Sequence, residues 1–523
     1  MIRRIAACLL ALGGVVHASG FTDGDQDLRA TTSANPDDDS PWPTLQIDGG
    51  IRFRAGYLYN FDLDRGLTTS GDPLFPISTS DPSAQATAVR DMRLRTDVIA
   101  RSRGGTMDVK LRLDILDNTS LGGQSFVDAS GRASDSGAMI HLRRAYTEIL
   151  TPLGVIVAGR MGNQFGLGMV ANAGDCFDCD GGDAADRIGL VVPARGMLAA
   201  VAFDVSSTAL LVRDRPESGL ALDPRSNAHA VIAAIMRYHS DAVREIRRRG
   251  GRTTIDYGAG VTYLWQDKDT PAEYLLDDPG PSPATMERGL RAFGTSAWFR
   301  LERPEARIES ELEVIAGSLD QASLIPGALF RDPIKMMQTG LTLESELGAA
   351  DARFGGGLDA GYASGDPAPG FGAYPALDNA MPAPGDLDGS QARPPIDNRI
   401  DNFRFSPNYR VDRILFHQII GTVTDAMYVR PHARARIVDI GPGTLAASLA
   451  AIASWAVEPT STPSGKRALG VELDSTLTYR TPDGFLATLA HGVFVPGAAF
   501  DNPTMNVSAR TAQSIELLAG YLF

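Results

Sequence analysis

Most side chains able to do chemistry in this 523-residue chain are arginines and carboxylates set two positions apart. Arg52 and Arg54, Arg93 and Arg95, Lys110 and Arg112, Arg144, Arg160, and later Arg430, His432, Arg434 and Arg436 fall on such alternations. So do Glu309, Glu311 and Glu313, Glu344 and Glu346, and Glu472 and Asp474. In an extended strand a period of two puts successive side chains on opposite faces, so each run charges one face and leaves the other apolar. Basic walls facing acidic walls across water create a transverse field, which orients and sorts polar solutes but makes no bonds. Bond-making sets are missing from the sequence. The seven histidines, His17, His141, His229, His239, His417, His432 and His491, are scattered, and no G-x-S-x-G is present. Neither an enzyme nor a cofactor is expected.

A second group lies between Met161 and Arg187, where Asp175, Asp178, Asp180, Asp183 and Asp186 surround Cys176 and Cys179. A C-x-x-C pair can do thiol redox chemistry or supply half a zinc site, but the first wants a βα unit and the second two more ligands. In an oxidising compartment a disulfide that pins the loop is the expectation. The aspartates are hard oxygen ligands of the kind calcium takes, yet their spacing fails the D-x-[DN]-x-[DN]-G pattern and an acidic Gly-rich loop can simply be solvated. No metal site is therefore assigned.

These charges must be held by strands. In 45–61 Leu45, Ile47, Ile51, Phe53, Ala55, Tyr57, Tyr59 and Phe61 alternate with Gln46, Asp48, Arg52 and Arg54; Met107 to Ile115 and Arg307 to Val314 repeat the pattern. After the first twenty residues no uncharged apolar stretch of ~20 residues occurs, which excludes a helical span. A closed barrel satisfies its backbone between strands and needs apolar side chains only on the lipid face. The spacing predicts an all-β, transmembrane antiparallel barrel of about eighteen strands: 45–61, 89–102, 106–116, 139–150, 155–161, 190–205, 208–214, 228–240, 253–267, 287–302, 306–318, 336–348, 351–364, 424–439, 444–458, 468–480, 485–496 and 511–523. Tight turns at Arg103-Gly104-Gly105, Thr151 to Gly154, Gly441-Pro442-Gly443 and Thr481 to Gly484 alternate with long connections, as short periplasmic turns and long outer loops should. The weakest stretch is 187–252, where 190–214 reads as a hairpin or a bent strand and Arg244 to Arg252 as a long basic turn, so sixteen strands stay open.

The ends set the compartment. Arg3 and Arg4, the apolar run Ile5 to Val16 and the small Ala18 make a cleavable signal peptide over 1–18, with Cys8 leaving alongside. Residues 19–43 are acidic with scattered prolines and are expected as a disordered periplasmic tail, with the barrel occupying 44–523. Ile515, Leu517, Ala519, Tyr521 and Phe523 alternate outward to a terminal aromatic. This resembles the final strand by which the barrel-assembly machinery recognises outer-membrane barrels, with Tyr521 and Phe523 as the insertion signal. A net charge of −14 disfavours nucleic acid as a partner. Outer-membrane lipid and small polar or anionic solutes are the expected partners.

The segment Arg143-Arg144-Ala145-Tyr146-Thr147-Glu148 through Val155 to Arg160 resembles the strand, turn and Gly-Arg ending that precede the third outer loop of general porins, which folds into the lumen. By that likeness Asp175, Asp178, Asp180, Asp183 and Asp186 form a constriction facing a basic lumen wall of Arg52, Arg54, Arg93, Arg95, Arg112, Arg144 and Arg160, with Arg430, Arg434 and Arg436 on another strand. In the long connection 365–423, Phe403-Arg404-Phe405-Ser406-Pro407-Asn408-Tyr409-Arg410 leads to Ile414-Leu415-Phe416 and Ile420-Gly421, and is expected to fold back against the barrel mouth. Continuing to Tyr428-Val429-Arg430-Pro431, it is similar to a family of Gram-negative outer-membrane barrel proteins of uncharacterised role. More distantly the order of elements resembles alginate-export porins, whose arginine-lined lumen passes an anionic polymer; the resemblance also implies a monomer. The acidic strands depart from that pattern. A passive channel for small polar or charged solutes is thus the expected function. Export of an anionic exopolysaccharide, or a structural or adhesive role for the outer loops, is the alternative.

Overall fold

The computed structural model describes residues 44–523 apart from 70, 72, 77–84, 121–139, 207–226, 270–285, 322–331, 350–351, 374–382, 390–391 and 393–395. The expected signal peptide, the acidic tail and the expected strand 208–214 lie outside the described residues.

Alternation along the chain becomes eighteen strands: β1 (Thr44–Tyr59), β2 (Ala86–Arg101), β3 (Met107–Ser120), β4 (Ile140–Leu150), β5 (Val155–Gly162), β6 (Ala184–Ala194), β7 (Met197–Ser206), β8 (Ala228–Arg237), β9 (Thr254–Asp269), β10 (Met286–Arg303), β11 (Ala306–Leu319), β12 (Ile334–Leu347), β13 (Phe354–Ala363), β14 (Ala426–Ile440), β15 (Gly443–Ala456), β16 (Ala468–Arg480), β17 (Phe485–Pro496) and β18 (Ala512–Leu522). Each pairs antiparallel with the next, and β18 returns to β1 with Ile51 opposite Tyr521. The sheet therefore has no free edge, and every backbone donor and acceptor of the ladder finds its partner on a neighbour. Sixteen is excluded as the strand number.

The dyad decides which side chains meet which medium. On β1 Ile47, Phe53 and Tyr57 are exposed on the outer wall while Arg52 is buried inside. Outward Tyr59, Trp455 and Tyr362 sit near one rim, and Tyr257, Phe354 and Tyr521 near the other, the placing of aromatic girdles at two membrane interfaces. Connections are tight at one end, as at Arg195-Gly196, and long at the other, as at 163–183 and 364–425. At the closure the backbones of Gly49 and Phe523 exchange two 2.9 Å hydrogen bonds. A Cβ on Gly49 would lie 2.5 Å from the Arg95 carbonyl oxygen and 2.8 Å from the Phe523 ring, so the last aromatic closes the barrel over a residue that has no side chain.

Two expected elements are corrected. The stretch 190–205 is not one strand: it is the end of β6, a two-residue turn and most of β7. Arg195 (φ 51°) and Gly196 (φ 81°) both take positive φ, the primed geometry that matches strand twist. Apolar residues continue on both sides of that turn, so hydropathy hides it and Gly196 is its one marker. The long basic turn is a helix, α1 (Asp241–Arg249), between β8 and β9. Asp241 in its first turn and Arg247, Arg248 and Arg249 in its last complement the helix dipole.

The lumen is not an empty pipe. Its core is a cluster in which Phe403, Phe405, Ile414, Leu415, Phe416 and Ile420 from the connection after β13 pack with Leu167 and Met169 from the connection after β5 and with inward Tyr428 and Phe494. The expected fold-back at the mouth goes further and enters the barrel.

Candidate functional site

Even-numbered residues of β1 point inward, and register sets Arg52 opposite Arg93 and Arg54 opposite Asp91. Four arginines on adjacent strands would repel one another without counter-charges. Loop 163–183 supplies them. Asp178 lies 3.2 Å and Asp180 2.5 Å from the Arg54 guanidinium, and Asp180 lies 3.4 Å from Arg52. Arg93 donates to the carbonyls of Phe177 (2.9 Å) and Cys179, and Arg95 to that of Gly174 (2.7 Å). Asp175 joins Arg112 and Arg144, the latter at 2.7 Å. Cys176 and Cys179 are joined as a disulfide, which places the Phe177 and Cys179 carbonyls together over Arg52 and Arg93. Burial alone would push the three loop carboxyls up. Arg112 and Arg144 instead hold Asp175 far below the ordinary range, Arg54, Arg410 and Arg52 do the same for Asp180, and Arg410, Arg54 and Arg52 hold Asp178 down at about 2.

Arg410 belongs to a second inward segment, 401–425, and donates to Asp178 (2.7 Å) and Asp180 (2.6 Å). One guanidinium thus fastens the two segments together. Further along, Glu472 on β16 accepts the backbone N–H groups of Arg413 (2.9 Å), Ile414 (2.8 Å) and Leu415 (3.0 Å), at the start of a π-helical turn Leu415–Ile419. Tyr409 donates 2.9 Å to Glu344 on β12. Asp412 receives the N–H groups of Phe416 and His417, both at 3.0 Å; burial and the neighbouring Asp474 push its carboxyl up to about 7. Burial, then Arg410, drives the His417 imidazole well below its ordinary range.

The expectation of bare opposed walls is therefore corrected. Arg52, Arg93, Arg112 and Arg144 are buried beneath the loop. Arg430 is buried 2.5 Å from Asp359, and Arg434 pairs with Glu346 at 2.6 Å. Arg436 pairs with Asp439 at 2.7 Å, beside a bulge near the tight-turn end, and both are exposed. Glu309 receives Arg300 (2.7 Å), Arg307 (2.9 Å) and the Trp298 indole (2.8 Å), and Glu311 receives the Met169 N–H (3.2 Å). A charge that alternation points inward finds a counter-charge or a loop amide there, because a bare charge in a partly dehydrated interior is costly.

Three residues fall elsewhere than expected. Arg160 stands opposite Ala145 and Asp186 in the outward-facing row of β4 to β6, and its 2.8 Å pair with Asp186 is exposed on the outer wall. Asp186 itself is in β6, not in the loop. One residue of phase decides this: the turn 151–154 sets Leu150 opposite Val155, so the inward row passes from even-numbered residues of β4 to odd-numbered residues of β5. Asp183 accepts the Asn172 N–H (2.8 Å) and closes the loop on itself.

Sequence reasoning overlooked the wall opposite. Between charged pairs such as Arg187–Asp204, the middle of the inward face of β6 to β10 is small or apolar: Gly189, Ala200, Ala202, Ile232, Ala234, Gly258, Gly260, Thr262 and Gly294. Loop 163–183 passes between this wall and the arginines, with Gly166 beside Trp298 and Glu311, and the Phe165 ring 4.0 Å from where a Gly260 Cβ would be. The signal was present in β7 and β8. Both faces are apolar there, and only the small size of Ala200, Ala202 and Ala234 against outward Val201, Phe203 and Ile235 distinguishes the lumen face.

No protein-family pattern matches the chain, and no curated relative is found by sequence. Solved structures match in outline. OpdK of Pseudomonas aeruginosa, crystallised with vanillate, is 11% identical, with 91% of this chain and 98% of that one covered at a TM-score of 0.47. The outer-membrane channel DcaP of Acinetobacter baumannii is 11% identical over 92% and 98%, TM-score 0.38, and an anion-selective porin from Comamonas acidovorans 9% over 92% and 100%, TM-score 0.39. At such identities the likeness concerns the fold alone.

Proposed function

We propose that this chain is an outer-membrane channel through which small polar or charged solutes diffuse passively. The observation that carries it is a closed eighteen-strand barrel with an apolar outer wall, whose lumen is narrowed by an inward loop ion-paired to one side. A barrel this wide cannot be filled by its strand side chains, and what fills it here is two connections that occupy the β11 to β18 side and the arginine side. The conduit then runs between loop 163–183 and the receding inner wall of β6 to β10. Tyr521 and Phe523, exposed at the closing seam, serve as the insertion signal read by the assembly machinery.

Polymer export is the weaker reading, since Arg52 and Arg93 are covered by the loop and Arg430, Arg434 and Arg436 are already paired with Asp359, Glu346 and Asp439. The test is single-channel recording of the purified protein in planar bilayers under a salt gradient. Stepwise currents with modest ion preference support the channel. A folded barrel that stays silent at every voltage rejects it.

A further inference from the structure

Among the tight-end connections, 238–253 is the longest, and it builds α1. The amphipathicity of this helix is inverted. Arg244 is buried, reaching Glu302 at 3.4 Å and lying over the Tyr238 ring at 5.7 Å, and Arg247 donates to the Thr253 carbonyl at 2.7 Å. Glu302 faces the lumen, so the helix lies beneath it and its opposite arc faces the periplasm. That arc carries Val243 and Ile246, 38% and 70% exposed, beside Arg249, 79% exposed and paired with Glu245, which it shares with Arg248, and exposed Arg252. An apolar strip bordered by arginines turned away from the protein is incomplete as it stands.

We infer that the acidic stretch Phe21 to Leu28 of this same chain docks on that arc and so crosses the periplasmic mouth. Its composition is the complement: Asp23, Asp25 and Asp27 between apolar Phe21 and Leu28. Its position fits as well. The chain enters the barrel at Thr44, on the same end as α1. With strands ~4.8 Å apart and tilted ~40°, eighteen of them enclose a ring about 35 Å across, and β1 lies nearly opposite β9. Asp37, Asp38 and Asp39, five to seven residues before Thr44, reach at most about 25 Å and fall short. Asp23 to Asp27, seventeen to twenty-one residues away, reach up to about 60–70 Å and span the mouth. Tethering holds them at an effective concentration on the order of millimolar, enough for a weak patch. This goes beyond the channel reading and does not depend on it.

Cysteine cross-linking of the full chain tests it. Leu28→Cys with Ile246→Cys should form an intramolecular disulfide at least ten-fold faster than Leu28→Cys with Leu153→Cys, although Leu153, 74% exposed in the turn after β4, lies nearer β1. Arg249→Glu with Arg252→Glu should remove that advantage, and Asp23, Asp25 and Asp27→Arg on the same background should restore it. Equal or faster linkage to Leu153, indifference to the charge swaps, or a product joining two copies each overturns the docking. Should a double variant fail to fold, maleimide labelling of Ile246→Cys alone decides: deleting 21–28 should speed it several-fold, and an unchanged rate overturns the inference. Both readouts survive a barrel that proves not to conduct.

Discussion

Two walls of one barrel, the arginine side of β1 to β4 and the alanine and glycine side of β6 to β10, have the same backbone and opposite behaviour. The first reads as the functional surface and turns out to be the anchor of a loop. The second reads as featureless and meets the same loop by packing, Phe165 against Gly260 and Gly166 beside Trp298. Charge in a lumen attracts whatever the chain can supply as a counter-charge, and the covalently attached loop arrives at far higher effective concentration than any solute. A wall of small side chains offers no such counter-charge. An arginine-rich lumen is therefore evidence of where a protein is filled as much as of what it passes.

The strongest way to break the contrast is to remove the loop's charges. Asp178→Asn with Asp180→Asn takes both ion-pair partners from buried Arg410 and leaves Arg52 and Arg54 to share Asp91 alone, a loss of about 3–5 kcal/mol of the kind seen when one side of a buried pair is deleted. Expected outcomes are a several-fold rise in conductance, a shift of reversal potential toward anions and a lower melting temperature in detergent. An unaltered reversal potential would mean that these arginines never face the conduit. Arg410→Ala should raise conductance more weakly and move the reversal potential the other way, toward cations, while raising current noise by loosening one inward segment from the other. On the opposite wall, Ala202→Arg or Ala234→Arg should lower conductance two- to five-fold with a change in stability under about 1 kcal/mol, since these positions are half-buried and face the open side.

Acidity separates the two inward segments. Asp175, Asp178 and Asp180 have depressed pKa values, so their contribution is whole above the unfolded carboxylate value near 4 and is lost as pH falls toward about 2. Asp412 is raised to about 7 and works the other way: the folded state holds its proton more tightly, so stability declines as pH rises from about 4 to 7. Melting followed from pH 2 to 9 should climb steeply at first and then sag between about pH 4 and 7, and Asp412→Asn should flatten the sag alone. The smallest effect is expected on the outer wall, where Arg160→Gln should cost about 0.2–1 kcal/mol, an exposed pair being screened.

The barrel, most of its strands, the final strand ending at Phe523 and the Cys176–Cys179 bridge were legible in the sequence, because each follows from a local rule: period two, turn residues at one end, a terminal aromatic, paired cysteines in an oxidising compartment; the inward loop after β5 came only from a resemblance, and β6 and β7 were misdivided. The direction faced by Arg160 was not, since the hairpin register that sets Leu150 opposite Val155 moves the inward row from even to odd positions and no composition records it. The helix α1 hid inside a basic run whose helical logic shows only once Arg244 has Glu302 to reach.

By itself, then, the sequence determined that this chain closes into a barrel and which residues alternate; these depend on neighbours close along the chain. Only the tertiary structure decided which charges stay available. Arg52 meets Asp180, and Arg410 meets Asp178, across separations of more than a hundred residues, and whether a charge is solvated or neutralised is fixed by such encounters alone.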